Sequence, residues 1–225
     1  MHAVAIVAAA GSGSRLGAGL PKALVPLAGR PLVGWAVEGL LAGGVAEVVV
    51  VVPAAQRAAF EAVLPAGVAV VDGGATRTAS VRAGLAAAGA AATAVLVHDA
   101  ARPLTPPEAI ARVLAALETG ALAVVPVLPV VDTTVLVDDD GLVVDAVPRA
   151  PLRRVQTPQG FDRATLEAAY GALEPDAELT DDAAVVRRAG VAVTTVAGDE
   201  RSAKVTVPHD LALAEHTLTL GEATP

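Results

Sequence analysis

The amino-acid sequence predicts an α/β fold: a mostly parallel sheet with helices on both faces, plus a projecting β-hairpin arm. Three observations carry this. Short apolar runs rich in β-branched residues alternate with alanine- and leucine-rich stretches. The runs are continuously apolar, which marks strands buried on both faces. Helix-length segments separate them, the pattern of parallel strands joined by crossovers.

Strands are expected at 3–8, 47–52, 69–71, 94–98 and 122–127, with a late one at 191–196. Helices are expected between them at 31–41, 56–64, 78–88 and 106–117. One segment breaks the alternation. Residues 130–137 and 142–147 read as two strands around the tight turn Asp138-Asp139-Asp140-Gly141. Such a hairpin has few places in the main sheet. It is expected to project as an arm, at about 130–150, that exchanges with a second subunit; a surface hairpin on a monomer is the alternative.

At 225 residues, with no linker, the chain is expected to form a single domain over 1–225. It is 54% hydrophobic but only 2% aromatic, and charges interrupt every apolar run well before the roughly 18 residues a membrane span needs. The sequence passes directly into a strand without a basic, apolar leader. Zero cysteines remove disulfides, thiolate metal sites and thiol nucleophiles. These features lead to an expectation of a cytoplasmic protein with no membrane partner. A net charge of −8 argues against a nucleic-acid surface.

The scarce cations fall in or beside loop motifs: Arg15, Lys22, Arg77, Arg102, Arg149 and Lys204, the two lysines being the only ones in the chain. The loop after the first strand reads Ala8-Ala9-Ala10-Gly11-Ser12-Gly13-Ser14-Arg15, followed by Pro21-Lys22. Small residues let backbone N–H groups approach phosphate oxygens, with cations beside them. Its spacing is neither that of a P-loop nor of the dinucleotide fingerprint, since Leu16 stands where a third glycine belongs.

Two further loops leave the same ends of later strands, where open α/β sheets bind ligands. Asp72-Gly73-Gly74-Ala75-Thr76-Arg77-Thr78-Ala79-Ser80 offers backbone approach to a base or ribose and a hydroxyl from Ser80; a glycine turn with a helix cap is the plainer reading. In His98-Asp99-Ala100-Ala101-Arg102-Pro103, Asp99 is placed to bind Mg²⁺, which takes one or two carboxylates plus substrate phosphates. Arg102 reads either as a phosphate clamp or as a partner ordering Asp99. His98, after an apolar run, reads as a core histidine. No set of residues for nucleophilic catalysis is present.

The second half adds Asp132-Thr133-Thr134, Arg149, Gln156-Thr157-Pro158-Gln159-Gly160-Phe161, Thr180-Asp181-Asp182 and Lys204-Val205-Thr206. Together with the three loops, these motifs resemble the 2-C-methyl-D-erythritol 4-phosphate cytidylyltransferases of the non-mevalonate isoprenoid pathway over nearly the whole length. The resemblance implies a Rossmann-like sheet of nucleotidyltransferase type, a homodimer, and CTP with a small polyol phosphate as substrates. It implies that Arg15 and Lys22 stabilise the transition state at the α-phosphate. It implies that Arg149, in the arm of the neighbouring subunit, and Lys204 hold the acceptor. Ala9, Ala10, Gly11, Gly13, Gly74, Ser80, Asp99 and Ala100 correspond to the nucleotide side, and Arg102, Thr133 and Thr180 to the acceptor side.

The chain departs from the family pattern at Ala23, where glutamine is usual, at Ala75, acidic in some relatives, and at Ser202-Ala203, where Asn-Ile is common. Two alternatives stand beside this reading. A ribitol 5-phosphate cytidylyltransferase would tend to carry Ala-Gly-Gly in the first loop and lack the two alanines before Arg102. A non-catalytic nucleotide-binding module would have no use for four transition-state and acceptor cations.

Overall fold

Strand β1 (Ala3–Ala8) forms the middle of the molecule, with five of its six residues buried. The structure, a computed structural model, describes residues 1–11, 19–174 and 181–222. After β1 come β2 (Pro26–Leu27), β3 (Arg30–Pro31), α1 (Leu32–Ala42), β4 (Glu47–Val52), α2 (Arg57–Glu61) and β5 (Ala69–Asp72). Next are α3 (Arg77–Ala87), β6 (Ala94–Asp99), α4 (Pro107–Glu118) and β7 (Ala123–Pro129). The second half contains β8 (Thr134–Val137), β9 (Val143–Val147), β10 (Arg153–Val155), β11 (Gln159–Asp162) and α5 (Arg163–Gly171). It closes with α6 (Asp182–Arg188), β12 (Thr194–Ala197) and α7 (Pro208–Glu222).

Among the described residues the main sheet has eight strands, in the order β10, β7, β11, β6, β1, β4, β5, with β12 also paired to β7. β1 lies parallel to both β4 and β6, and β4 parallel to β5. Alternate residues of β1 serve opposite faces. Ala3, Ala5 and Val7 join the cluster formed with α1, α2 and α4, while Val4 and Ile6 join that of α3, α5 and α6. Each fully buried valine or isoleucine contributes about 1.5–3 kcal/mol, so a core almost without aromatic residues still closes on both sides. α3 lies close to the sheet because Gly84 has no side chain: a Cβ there would meet Ile6 Cγ2 at 2.4 Å.

The parallel pattern is interrupted where the sequence reads only as a motif. β11 lies between β6 and β7 and is antiparallel to both. β10 and β11 follow each other along one edge of β7, with the register offset at Thr157-Pro158, and β12 takes the other edge in parallel. The late strand expected at 191–196 is shorter and begins later, at Thr194. Gly160 lets α4 sit on β11, since a Cβ there would lie 2.4 Å from Val113 Cγ1. Gln159, buried within the strand, is satisfied from outside the sheet: its amide donates to Asp181 Oδ2 at 2.9 Å and accepts from the Ala183 N–H at 2.9 Å.

The arm is where the turn signal placed it. Among the described residues β8 and β9 pair only with each other, and the Asp138 carboxylate accepts from the N–H groups of Asp140 (3.1 Å) and Leu142 (2.8 Å). Gly141, at φ 81°, completes the turn. The arm's apolar side chains lie open: Leu136, Val137, Leu142, Val143 and Val144 are all more than half exposed.

Candidate active site

A cleft of about 450 Å³ opens at the carboxyl ends of β1, β5 and β6. Its floor continues the sheet. Ala9 N–H donates to Val51 O at 2.9 Å and Ala100 N–H to Ala8 O at 3.2 Å; beyond β6 the chain turns at once, with Arg102 N–H donating to Asp99 O at 2.9 Å. Ala9, Ala10 and Gly11 line the cleft, and a Cβ built on Gly11 would meet nothing within 4 Å. Backbone and methyl groups thus leave room for a bulky ligand. Gly13 and Arg15 lie outside the described residues.

Lys22 also lines the cleft. It opens a short 3-10 turn, Lys22–Leu24, after Pro21, and the turn is anchored by buried Ala23. So does the loop between β5 and α3. Thr76 caps α3 by accepting from Ala79 N–H at 3.1 Å, so the cap expected in this loop is present as well as the ligand-facing backbone. The loop fits tightly: a Cβ on Gly74 would lie 2.4 Å from Ala79 Cβ. Ser80 donates its hydroxyl to Thr76 O at 2.9 Å, which leaves it an acceptor toward a ligand.

Asp99 ends β6 and is the one carboxylate lining the cleft among the described residues. Its Oδ2 accepts from Lys204 Nζ at 2.8 Å. Burial works against its ionisation, but Lys204, with Arg77 and Arg102 nearby, outweighs this and holds the carboxyl below its ordinary pKa. The loop bearing Lys204 is itself tied down. Val205 N–H donates to Ala101 O at 2.8 Å, and Arg102 donates to Ser202 O at 2.7 Å. Val205 packs with Leu27 and Leu32 in a separate apolar cluster. His98 is fully buried between Thr157 Oγ1 (2.9 Å) and Arg102 O (3.2 Å), with its pKa pushed down to about 4 by burial. It is a core histidine, as read.

The described candidates therefore divide. Ala9, Ala10, Gly11, Lys22, Gly74, Ser80, Asp99 and Lys204 converge on one cleft. Ala100 lies buried behind it, and Ala101 is exposed to it instead. Arg102 turns its guanidinium to backbone carbonyls of Ser202 and Val155 rather than into the cleft, and its Nε stands 3.9 Å from Asp99. Thr133 and Arg149 sit in and beside the arm, away from this chain's cleft; Arg149 donates to Val131 O at 2.7 Å. Thr180 lies outside the described residues. Sequence reasoning noted Arg77 as a loop cation but gave it no site role; it lines the cleft and pairs with Asp182 at 2.6 Å.

Among the described residues no three histidine or carboxylate groups gather as a metal cage. A single carboxylate suits Mg²⁺, which keeps most of its shell for waters and phosphate oxygens. Asp99 therefore fits such an ion only when a nucleotide supplies the other ligands.

The comparisons with known proteins agree with this geometry. The family model described as IspD, 2-C-methyl-D-erythritol 4-phosphate cytidylyltransferase, matches residues 3–220. The enzyme of that name from Nocardia farcinica is 55% identical over 96% of this chain and 93% of its own. That from Saccharopolyspora erythraea is 52% identical over 97% and 100%. Among solved structures, the Thermus thermophilus enzyme superposes with a TM-score of 0.81 at 38% identity, covering 97% of this chain and 100% of that one. With the family model spanning almost the whole chain and relatives above half identity, this chain is a member of the 2-C-methyl-D-erythritol 4-phosphate cytidylyltransferase family.

Proposed function

We propose that the cleft joins CTP to 2-C-methyl-D-erythritol 4-phosphate, giving 4-diphosphocytidyl-2-C-methyl-D-erythritol and pyrophosphate for isoprenoid precursor synthesis. This is the activity of the family to which the chain belongs. One observation carries the assignment of the site: Lys22, Asp99 and Lys204, from three distant parts of the sequence, line one cleft beside two glycine-rich loops.

The acceptor's phosphate oxygen attacks the α-phosphorus of CTP. A new P–O bond forms as the bond to the bridging oxygen breaks, and the electron pair leaves with pyrophosphate. The attacking phosphate is already ionised, so no strong general base is needed. Catalysis is then positioning and charge stabilisation. In this reading the backbone of Ala9, Ala10, Gly11, Gly13 and Gly74, with Ser80, holds the nucleotide. Arg15 and Lys22 meet the charge developing at the α-phosphate. Lys204 takes the acceptor's phosphate, and Arg102 serves it by fixing Ser202 two residues away. Asp99 would hold a divalent cation together with nucleotide phosphates, and that ion would neutralise the departing pyrophosphate.

Arg149, Thr133 and Thr180 are assigned to the acceptor side, Arg149 from a second subunit. The open apolar side chains of the arm support a homodimer formed through it. No helix among the described residues is long and apolar enough to cross a membrane, and we place the enzyme in the cytoplasm with its nucleotide substrate.

The test is pyrophosphate release from CTP with Mg²⁺ and each polyol phosphate. Lys22→Ala should lose about 10²–10³-fold in turnover, as for one oxyanion-hole donor, while nucleotide binding weakens less. Normal turnover in that variant would sink the assignment of Lys22. Release with ribitol 5-phosphate alone would move the protein to the sister activity.

A further inference from the structure

We propose that Arg77 is a positioning residue for the nucleotide, clamping the glycine loop 73–76 onto the α6 layer through the buried carboxylate of Asp182. The inference rests on reading the cleft as the CTP site.

Arg77 is the first residue of α3, directly after the loop. Arg77 lines the cleft, and its Nη2 donates to Asp182 Oδ2 at 2.6 Å, 105 residues along the chain. Asp182 is fully buried, and its other oxygen accepts from the Tyr170 hydroxyl at 2.5 Å. A carboxylate engaged through both oxygens has one orientation, and one left unpaired in the interior is strongly destabilising. The neighbouring residue fixes the anchor further: Asp181 caps α6 through Ala184 N–H at 2.8 Å and accepts from Gln159 at 2.9 Å. Groups from β11, α5 and the start of α6 thus hold the receiving end still.

The other end of the clamp is the loop. Gly73 and Gly74 lie so close to the first turn of α3 that a Cβ on either would reach Ser80 Oγ or Ala79 Cβ within 2.9 Å. Loop and first turn therefore move together, and Arg77 ties that turn to the anchor. The guanidinium stays charged: burial alone would lower its pKa, but Asp182 more than reverses this, and Asp99 adds to the effect. Its charge therefore also contributes to the potential of the cleft. A surface arginine would need none of these partners, and a purely structural ion pair would not line the cleft.

A structural pair and a positioning pair differ in what their loss changes. In the full-length enzyme, Arg77→Gln should raise KM for CTP about 10- to 100-fold, the scale of one hydrogen bond to a charged group, with kcat and the acceptor KM nearly unchanged. CTP binding measured by calorimetry without acceptor should weaken by the same factor. Arg77→Lys, which keeps the charge but not the planar fork, should recover part of the loss. Asp182→Asn should act in the same direction.

A lower melting temperature with unchanged CTP affinity would reduce the pair to structure and overturn the proposal. Equal losses in kcat and kcat/KM would make Arg77 a catalytic contact and overturn it as well. If Arg77→Gln does not fold, Tyr170→Phe is read instead. It frees one oxygen of Asp182 while leaving the arginine in place, and an unchanged KM for CTP there would equally refute the clamp. Wild-type turnover is the control for the activity itself. Were it absent, the calorimetric affinity of the same variants would still decide the role of Arg77.

Discussion

Lys204 and Arg149 are cations assigned to the same acceptor, yet the chain supports them in different ways. Lys204 sits between Ser202 and Val205, both buried, with backbone or side-chain ties on either side and Asp99 on its ammonium. Its position is settled before any ligand arrives. Arg149 is exposed, and among the described residues its guanidinium donates to Val131 O within the same segment. The sheet gives it no fixed place. A residue of the cleft draws its precision from the core beneath it, whereas a residue of the arm must obtain it from what the arm meets. Under the proposed assignments, this difference would leave Arg149's part of the acceptor side to be completed by a second subunit.

The strongest way to break this contrast is to mix two inactive subunits. Lys22→Ala and Arg149→Ala should each lose about 10²–10³-fold in pyrophosphate release. If Arg149 works across a dimer, co-refolding the two should restore about a quarter of wild-type turnover, because half the random dimers are mixed and each carries one intact site. No recovery would place Arg149 in its own chain's site and remove the reason for an arm-linked dimer.

Lys204→Met sharpens the other half of the contrast. It should raise the acceptor KM and also cost stability, because Asp99 loses its main partner. Lys204 is 47% exposed, so the stability loss should be about 1 kcal/mol, or about 2–4 °C in melting temperature. The pH dependence has a definite sign in metal-free protein. The Asp99 pKa lies below its ordinary value of 3.8 in the folded state. Its contribution is therefore complete above 3.8 and lost as pH falls through the lower, folded value. Without Lys204 the folded pKa rises toward 3.8, so the onset stays near 3.8 and the acid-linked loss should shrink. An acid limb identical to wild type would show that the pair contributes nothing.

The smallest effect on activity is expected at His98, which supports the floor without touching ligand. Burial lowers its pKa from 6.5 to about 4. The unfolded chain then binds a proton that the folded one refuses, so stability is complete above pH 6.5 and declines by about 3 kcal/mol as pH falls toward 4. His98→Gln should flatten thermal stability across that window while leaving turnover at neutral pH close to normal. An unchanged slope would assign the acid sensitivity to other groups.

Most of the cleft was legible in the sequence because its parts are local. Each glycine-rich or acidic loop directly follows an apolar run, and the ends of parallel strands bring such loops together without further information. Lys22, Gly74, Ser80 and Asp99 line one cleft for that reason, whereas Lys204 was given a site role only through the family resemblance. What the sequence hid depends on distant partners. Gln159 and Gly160 look unlike a central strand, since their fit comes from Asp181, Ala183 and Val113. Arg77 stands visibly in a glycine loop, but its tie to the interior is hidden, because its carboxylate is more than 100 residues away. Arg102 was legible as a cation near Asp99, but whether its fork faces a phosphate or a carbonyl depends on Ser202, which the local motif does not contain.

The placement of β11 also bears on how the chain is made. β6 has β1 on one side and β11 on the other, so a ribosome that has released roughly the first 150 residues presents β6 with one edge bare. An uncovered strand edge is a template for pairing with another chain, and nascent proteins are most prone to aggregate in such intermediate states. The central sheet closes only when residues 159–162 emerge. The nucleotide loops, though encoded almost entirely in the first half, thus acquire a finished support late in synthesis.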